Sequence, residues 1–166
     1  GSAADHPRLA GQAHALSTLS PWLLRPLQVL GLAWTLPNTA LGLLAGAVAL
    51  AGGARVRASA RELALVFDGV PWGPGGALTL GNVILNTGQD LCTRCVTYAR
   101  HAGLSDDAPI LLADHERAHV FQYMVLGPLF LPLYFAFGGI GVRNRFERAA
   151  DRYALSGQGW WPWPRP

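Results

Sequence analysis

The sequence predicts a small α+β domain: a short β-sheet, a helical half, and an apolar helix or helical hairpin on the N-terminal side. Two observations predict it. A long uncharged run is followed by β-branched, alternating residues broken by glycine, and then by two stretches with helical periodicity. The 166 residues are enough for one domain with its own core. Composition divides them into a flexible polar arm over 1–20, an apolar helical segment over 21–53, a mixed domain over 54–157 and a Trp/Pro-rich tail over 158–166.

The apolar fraction is 51% and the charged fraction 14%. Typical soluble domains carry about 25% charge, so part of this surface is not built for water, and disorder is excluded. All thirteen basic residues are Arg, spread along the chain, and the formal charge is only +3. That gives no concentrated footprint for nucleic acid, which is not expected as a partner. The opening residues lack a basic stretch followed by an apolar one, so they do not read as a cleavable secretion signal.

From Leu27 to Ala51 there is no charge, a length that as helix crosses about 30 Å of hydrocarbon. Pro37-Asn38 interrupts it, so a kinked span and a short helical hairpin both fit, as does a buried core hairpin. Residues 55–88 read as two or three strands, with Ala77 to Leu85 taken as one of them. Residues 90–103 look helical, which makes Cys92 and Cys95 either a redox pair, half a metal site or two small residues one turn apart. The next helix is expected to be capped by Asp107, with Pro109 in its first turn, and to run to Gly127-Pro128. A second uncharged run over 124–142 is broken by Pro128 and Pro132, and a last helix runs from near Asn144 to Gly157.

Within the longest helix, His115-Glu116-Arg117-Ala118-His119 is an H-E-x-x-H. A spacing of four stacks both imidazoles on one helical face, at a separation suited to two ligands of one Zn²⁺. Glu116 projects beside such an ion, where it could take a proton from a metal-activated water. A catalytic zinc needs a third protein ligand, and among only three glutamates Glu147 is the candidate. Asp151 lies one turn later on the same face, placed to accept a hydrogen bond from a ligand imidazole. Two other readings remain open at this level: Asn144-x-x-Glu147 fits a capping box, and the histidines could be ordinary packed residues. Tyr123, one turn beyond His119, could face an oxyanion. Tyr153 and His101 are further candidate helpers.

With these residues in view, the chain resembles the zincin metallopeptidases, and among them the gluzincin arrangement of H-E-x-x-H followed by a separate helix bearing E-x-x-x-D. The resemblance implies that His115, His119 and Glu147 bind Zn²⁺, that Glu116 is the general base and that Asp151 orients a ligand histidine. The wording HERAHVFQY, LGPLFLPLY and NRFERAADRYA is also similar to uncharacterised bacterial proteins with a hydrophobic N-terminal segment. It covers about residues 77 to 155. Gluzincin peptidases usually have a second lobe that helps form the cleft, for which this chain has no length. The expected activity is hydrolysis of a peptide or protein substrate. The alternatives are an inactive zincin-like binding or scaffold module and a membrane-interacting protein.

The expected place is a membrane or another hydrophobic partner, reached through residues 21–53. If the run spans once, the arginines after it, Arg55, Arg57 and Arg61, against Arg25 before it, put the catalytic side in the cytoplasm; if Pro37-Asn38 makes a hairpin, both flanks stay on one side. If that run is core instead, the protein is cytoplasmic. Arg145, Arg148 and Arg152 form a stripe on the last helix that either meets lipid phosphates or is solvated. The three tryptophans of the tail suit a membrane interface or a hydrophobic groove.

Overall fold

The computed structural model describes residues 21–163 except 74 and 89, so the arm expected over 1–20 lies outside the described residues. The order is α1 (Pro21–Trp34), α2 (Leu36–Ala51), β1 (Arg55–Ser59), β2 (Ala64–Asp68), β3 (Ala77–Leu80), β4 (Val83–Asn86), β5 (Arg94–Cys95), α3 (Tyr98–His101), β6 (Ile110–Leu111), α4 (Leu112–Leu126), a 3₁₀ turn (Gly127–Leu129), α5 (Phe130–Ala136) and α6 (Arg145–Ser156). This is the α+β class that the sequence predicts.

The main sheet has the order β1-β2-β4-β3. β1 pairs antiparallel with β2, β2 parallel with β4, and β3 antiparallel with β4, with Thr79 opposite Ile84. β3 is therefore an edge strand. The stretch Ala77 to Leu85, expected as one strand, is a hairpin that turns at Gly81-Asn82. Gly81 has φ +61, and a side chain there would strike Thr39 of α2, whose hydroxyl accepts from Asn82 N at 3.1 Å. Only glycine fits both the positive φ and the close approach.

Alternating residues send the two faces of the sheet into different cores. Phe67, Val83 and Leu85 pack with Ala49 of α2 on one side. Val66 and Ile84 pack with Ala113 and Val120 of α4 on the other. With both faces covered, every residue of β4 is buried, as in central strands of layered folds. Through α2 the apolar segment 21–53 packs as a layer on the sheet.

α2 meets the sheet through Gly42, Gly46 and Ala49, and its opposite side, including Leu36, Leu41, Leu44 and Val48, faces outward. A methyl on Gly42 would lie 2.6 Å from Val83 Cβ and 2.9 Å from the Leu80 carbonyl. Gly42→Ala is expected to overpack this contact and lower stability by about 1–3 kcal/mol, read from a denaturant melt.

α1 and α2 are bent by 66° at Thr35, which corresponds to a kinked pair and not a hairpin. Thr35 is the N-cap of α2 and Pro37 sits in its first turn, where a missing N–H costs nothing. Together the pair is apolar enough for one span, and so by itself is the helical run Leu112–Ala136. The core helix of a soluble domain meets the same criteria.

Two helical expectations change. Of residues 90–103 only Tyr98–His101 is helical, capped by Thr97, and Cys92 and Cys95 are free thiols on turn and strand instead of one helical face. α4 begins at Leu112 and not at Asp107. The Asp107 carboxylate instead accepts from Ser105 and Thr97 in the preceding loop. The first amides of α4 are satisfied from elsewhere: Leu112 N donates to Thr93 O at 3.2 Å and Ala113 N to Leu91 O at 2.9 Å. A helix start supplied by neighbouring carbonyls needs no side-chain cap.

The last helix matches its expected bounds: the Asn144 side chain accepts from Phe146 N, and Gly157 closes it in the left-handed conformation. The arginine stripe does something else than expected. Arg145 lies 4.4 Å above the Phe137 ring and 5.5 Å from that of Trp163, and Arg152 donates to the carbonyls of Gly159 and Trp161. Both strap the tail to the domain, while Arg148 stays exposed. Trp160 and Trp163 pack edge-on against Phe121 and Phe146.

Candidate metal centre

α4 and α6 approach closely because Ala118 and Ala150, both fully buried, are what they present to each other. On α4, His115, His119 and Gln122 recur at intervals of four and three and so share the face turned to α6. On α6, Glu147 and Asp151 flank Ala150. All five polar side chains are buried.

Three of their atoms converge. His115 Nε2 lies 3.0 Å from Glu147 Oε2, His119 Nε2 lies 3.3 Å from the same oxygen, and the two Nε2 atoms are 3.2 Å apart. Ligand atoms bound at about 2.0–2.1 Å around a tetrahedral ion are about 3.3 Å apart. The spacing and the donor chemistry therefore fit, and this buried group could hold a metal ion. Glu147 does not reach back to its helix start, so the capping-box alternative fails; Asn144 alone caps the helix.

Each of the three side chains is held from behind. His115 Nδ1 is 2.9 Å from Asp151 Oδ1, and the other Asp151 oxygen accepts from Tyr98 N at 2.8 Å. His119 Nδ1 is 2.9 Å from Gln122 Oε1. The Gln122 amide in turn donates to Trp160 O at 2.8 Å and Phe146 O at 3.2 Å. Those two donations fix which end of the amide faces the imidazole, so a neutral His119 carries its proton on Nδ1 and leaves the Nε2 lone pair for a metal. Tyr134 donates to the second oxygen of Glu147. Gln122→Ala is expected to weaken metal affinity by about 10- to 100-fold, measured by competition with a chromophoric chelator.

Electrostatically the metal-free cluster is a buried set of imidazoles and carboxylates. Burial alone pulls the His115 pKa down, but hydrogen bonds to Asp151 and Glu147 outweigh it and push it up to about 10. Burial acts likewise on His119, and the charge of Glu147 reverses it to a net rise. For Glu147, burial raises the pKa, and the two histidines overcome that and hold the carboxyl well below its usual range.

Glu116 is buried and its Oε2 accepts from Thr79 Oγ1 of β3 at 2.6 Å. It lines a cavity of about 110 Å³ beside the donor atoms, together with His115, His119, Glu147, Tyr134 and Tyr123. A larger cavity of about 510 Å³ adjoins it, also lined by Glu116, His115 and Tyr98, and reaching His101 and Cys95.

Of the candidate helpers, Tyr123 is brought to the inner cavity. Its ring packs 3.8 Å from that of Phe130, its hydroxyl is buried without a partner, and burial followed by the Glu116 charge raises its pKa. Tyr153 is not at the site; it packs against Phe121, Ala118 and Ala150. Sequence reasoning missed Gln122, Tyr134, Thr79 and Tyr98. Gln122 follows His119 by three on the same face, a spacing that could have revealed it. The other three arrive only through the tertiary fold.

No family model, no curated protein and no solved structure matches this chain.

Proposed function

We propose that the protein is a zinc-dependent metallopeptidase attached to a membrane. The observation that carries the reading is the meeting of His115 Nε2, His119 Nε2 and Glu147 Oε2 at 3.0–3.3 Å. Two imidazoles and one carboxylate suit Zn²⁺, and three protein ligands leave the open position that separates catalytic from structural zinc sites. When bound, the ion supplies a Lewis acid that acidifies water and polarises a carbonyl.

The chain's own residues do the rest. Glu116 takes the proton of the attacking water at its carboxylate and passes it to the leaving amine. Thr79 fixes that carboxylate, and the unpaired Tyr123 hydroxyl is a donor available to a substrate oxygen. Asp151 and Gln122 keep both imidazoles oriented. β3, which carries Thr79, is an edge strand, so an extended peptide could add to the sheet beside Glu116.

The membrane part of the reading rests on the outward apolar side of α1 and α2. Beyond it Arg57 pairs with Asp68 and Arg61 with Asp114, and exposed Arg25 and Arg55 at the two ends of the run favour an anionic leaflet. The test of activity is cleavage of a broad peptide library by zinc-loaded protein, stopped by a chelator and restored by zinc. Metal bound without any cleavage favours the binding or scaffold module.

A further inference from the structure

Two uncharged runs, distant in sequence, form one surface. Neither residues 26–54 nor residues 118–142 contain a charged Asp, Glu, Lys or Arg. The fold joins them at Gly127. Asn38 Nδ2 donates to Gly127 O at 2.8 Å, and the Trp34 ring occupies the space where a side chain at Gly127 would be. Around this joint Leu30, Trp34, Leu36, Val125 and Leu129 are each more than half exposed.

α5 runs from the joint to the metal cleft. There Leu131, Phe135 and Ile140 wall the inner cavity on one side and Leu78 of β3 on the other. Phe135 is 67% exposed, Ile140 65% and Leu78 42%. The rim of the cleft on this side is apolar, and its polar groups lie on the floor.

The occupant is argued from chemistry. A protein interface of ordinary kind carries about one hydrogen bond per 100–200 Å². The exposed positions of α2 hold only Leu, Val, Ala and Pro and offer none from side chains. Exposed arginines border both runs: Arg25 and Arg55 flank the first, and Arg143 and Arg148 follow the second. An apolar face bordered by cations matches hydrocarbon beneath anionic headgroups. The run Leu112–Ala136 does not cross, because Glu147, from beyond its end, returns to His115 and His119 near its beginning.

We propose that the apolar mouth of the metal cleft rests on the bilayer, so that the substrate is an apolar peptide segment at the lipid surface. The substrate class rests on the metallopeptidase reading, whereas the orientation does not.

The experiment uses the full chain with Cys92→Ser and Cys95→Ser, carrying one environment-sensitive fluorophore on Leu30→Cys, Phe135→Cys, Ile140→Cys or Leu104→Cys. Leu104 is exposed in a loop beside Ser105, Asp106 and Asp107 and serves as the water-facing reference. Vesicles of phosphatidylcholine and phosphatidylglycerol are expected to shift the probes at 30, 135 and 140 to the blue, with quenching by brominated acyl chains, and to leave 104 unchanged. A response at 30 with 135 and 140 still in water overturns the orientation. So does a response at none, with sedimentation showing a second copy on this face.

The substrate arm compares one apolar peptide with and without an acyl anchor in the presence of vesicles. The anchor is expected to raise its cleavage rate at least tenfold, an advantage lost in Leu30→Glu/Leu44→Glu protein that still cleaves the free peptide. Equal rates with and without the anchor overturn the substrate class. If neither peptide is cleaved while the probes respond as expected, the peptidase reading falls and the orientation stands.

Discussion

Glu116→Gln is expected to keep the bound metal and the fold while lowering peptide hydrolysis by about 10²- to 10⁴-fold. Gln preserves the shape of the side chain and can still accept from Thr79 Oγ1, the contact made at 2.6 Å. What it loses is the ability to take a proton from water. The measurement is a progress curve on any cleaved peptide, run beside zinc content and far-ultraviolet circular dichroism of the same samples. Activity equal to wild type would remove Glu116 from the mechanism. Loss of zinc together with activity would reassign it to holding the site.

Glu147→Ala is expected to abolish stoichiometric metal binding and to change how stability depends on pH. The carboxylate is the common partner of both Nε2 atoms, so its removal leaves two buried imidazoles without an anion between them. In the metal-free wild type, His115 has its pKa raised to about 10 by Asp151 and Glu147 against the pull of burial. Its stabilising contribution is complete below its unfolded value of about 6.5 and is lost as pH rises towards 10. Glu147 is held low, so its contribution is present above its unfolded value of about 4.3 and lost as pH falls.

The metal-free protein therefore draws most on this cluster between about pH 4.5 and 6.5. Metal displaces the protons, so its affinity should rise about tenfold per pH unit for each proton released in this range. Melting curves from pH 5 to 8, with and without zinc, check the sign. Zinc should raise the melting temperature of wild type more at pH 8 than at pH 6, and should leave Glu147→Ala unchanged at both.

The legible part of the site was the part set by helical geometry. A spacing of four from His115 to His119, and of four from Glu147 to Asp151, places each pair on a single face whatever surrounds it. Asn144 and Gly157 bounded α6 correctly because capping depends on local backbone. Which helix faces met was a separate matter: it depended on Ala118 and Ala150 being small enough for close approach, and no spacing rule announces that.

Where the reading missed, a tertiary contact had replaced a local rule. Asp107 is a good N-cap by type, yet its carboxylate is used by Ser105 and Thr97, and α4 takes its first acceptors from residues 91 and 93. Gly81-Asn82 was a readable two-residue hairpin signal, hidden by apolar alternation continuing on both sides. Tyr134 comes from a different helix and Thr79 from the sheet edge, so neither had a sequence interval to His115 that could be recognised. The kink at Thr35 lay close to Pro37, and only the packing of Gly42 and Gly46 onto Val83 and Phe67 decided that α2 is both a core layer and an exposed apolar face.

Metal content of the purified full chain decides whether His115, His119 and Glu147 hold an ion. Wild type and His119→Ala are prepared side by side in zinc-supplemented medium, dialysed against metal-free buffer, and compared by elemental analysis and circular dichroism. One zinc per wild-type chain is expected, and none in His119→Ala of equal helical content. A correctly folded wild type that holds no zinc, or a His119→Ala protein that holds as much as wild type, would contradict it.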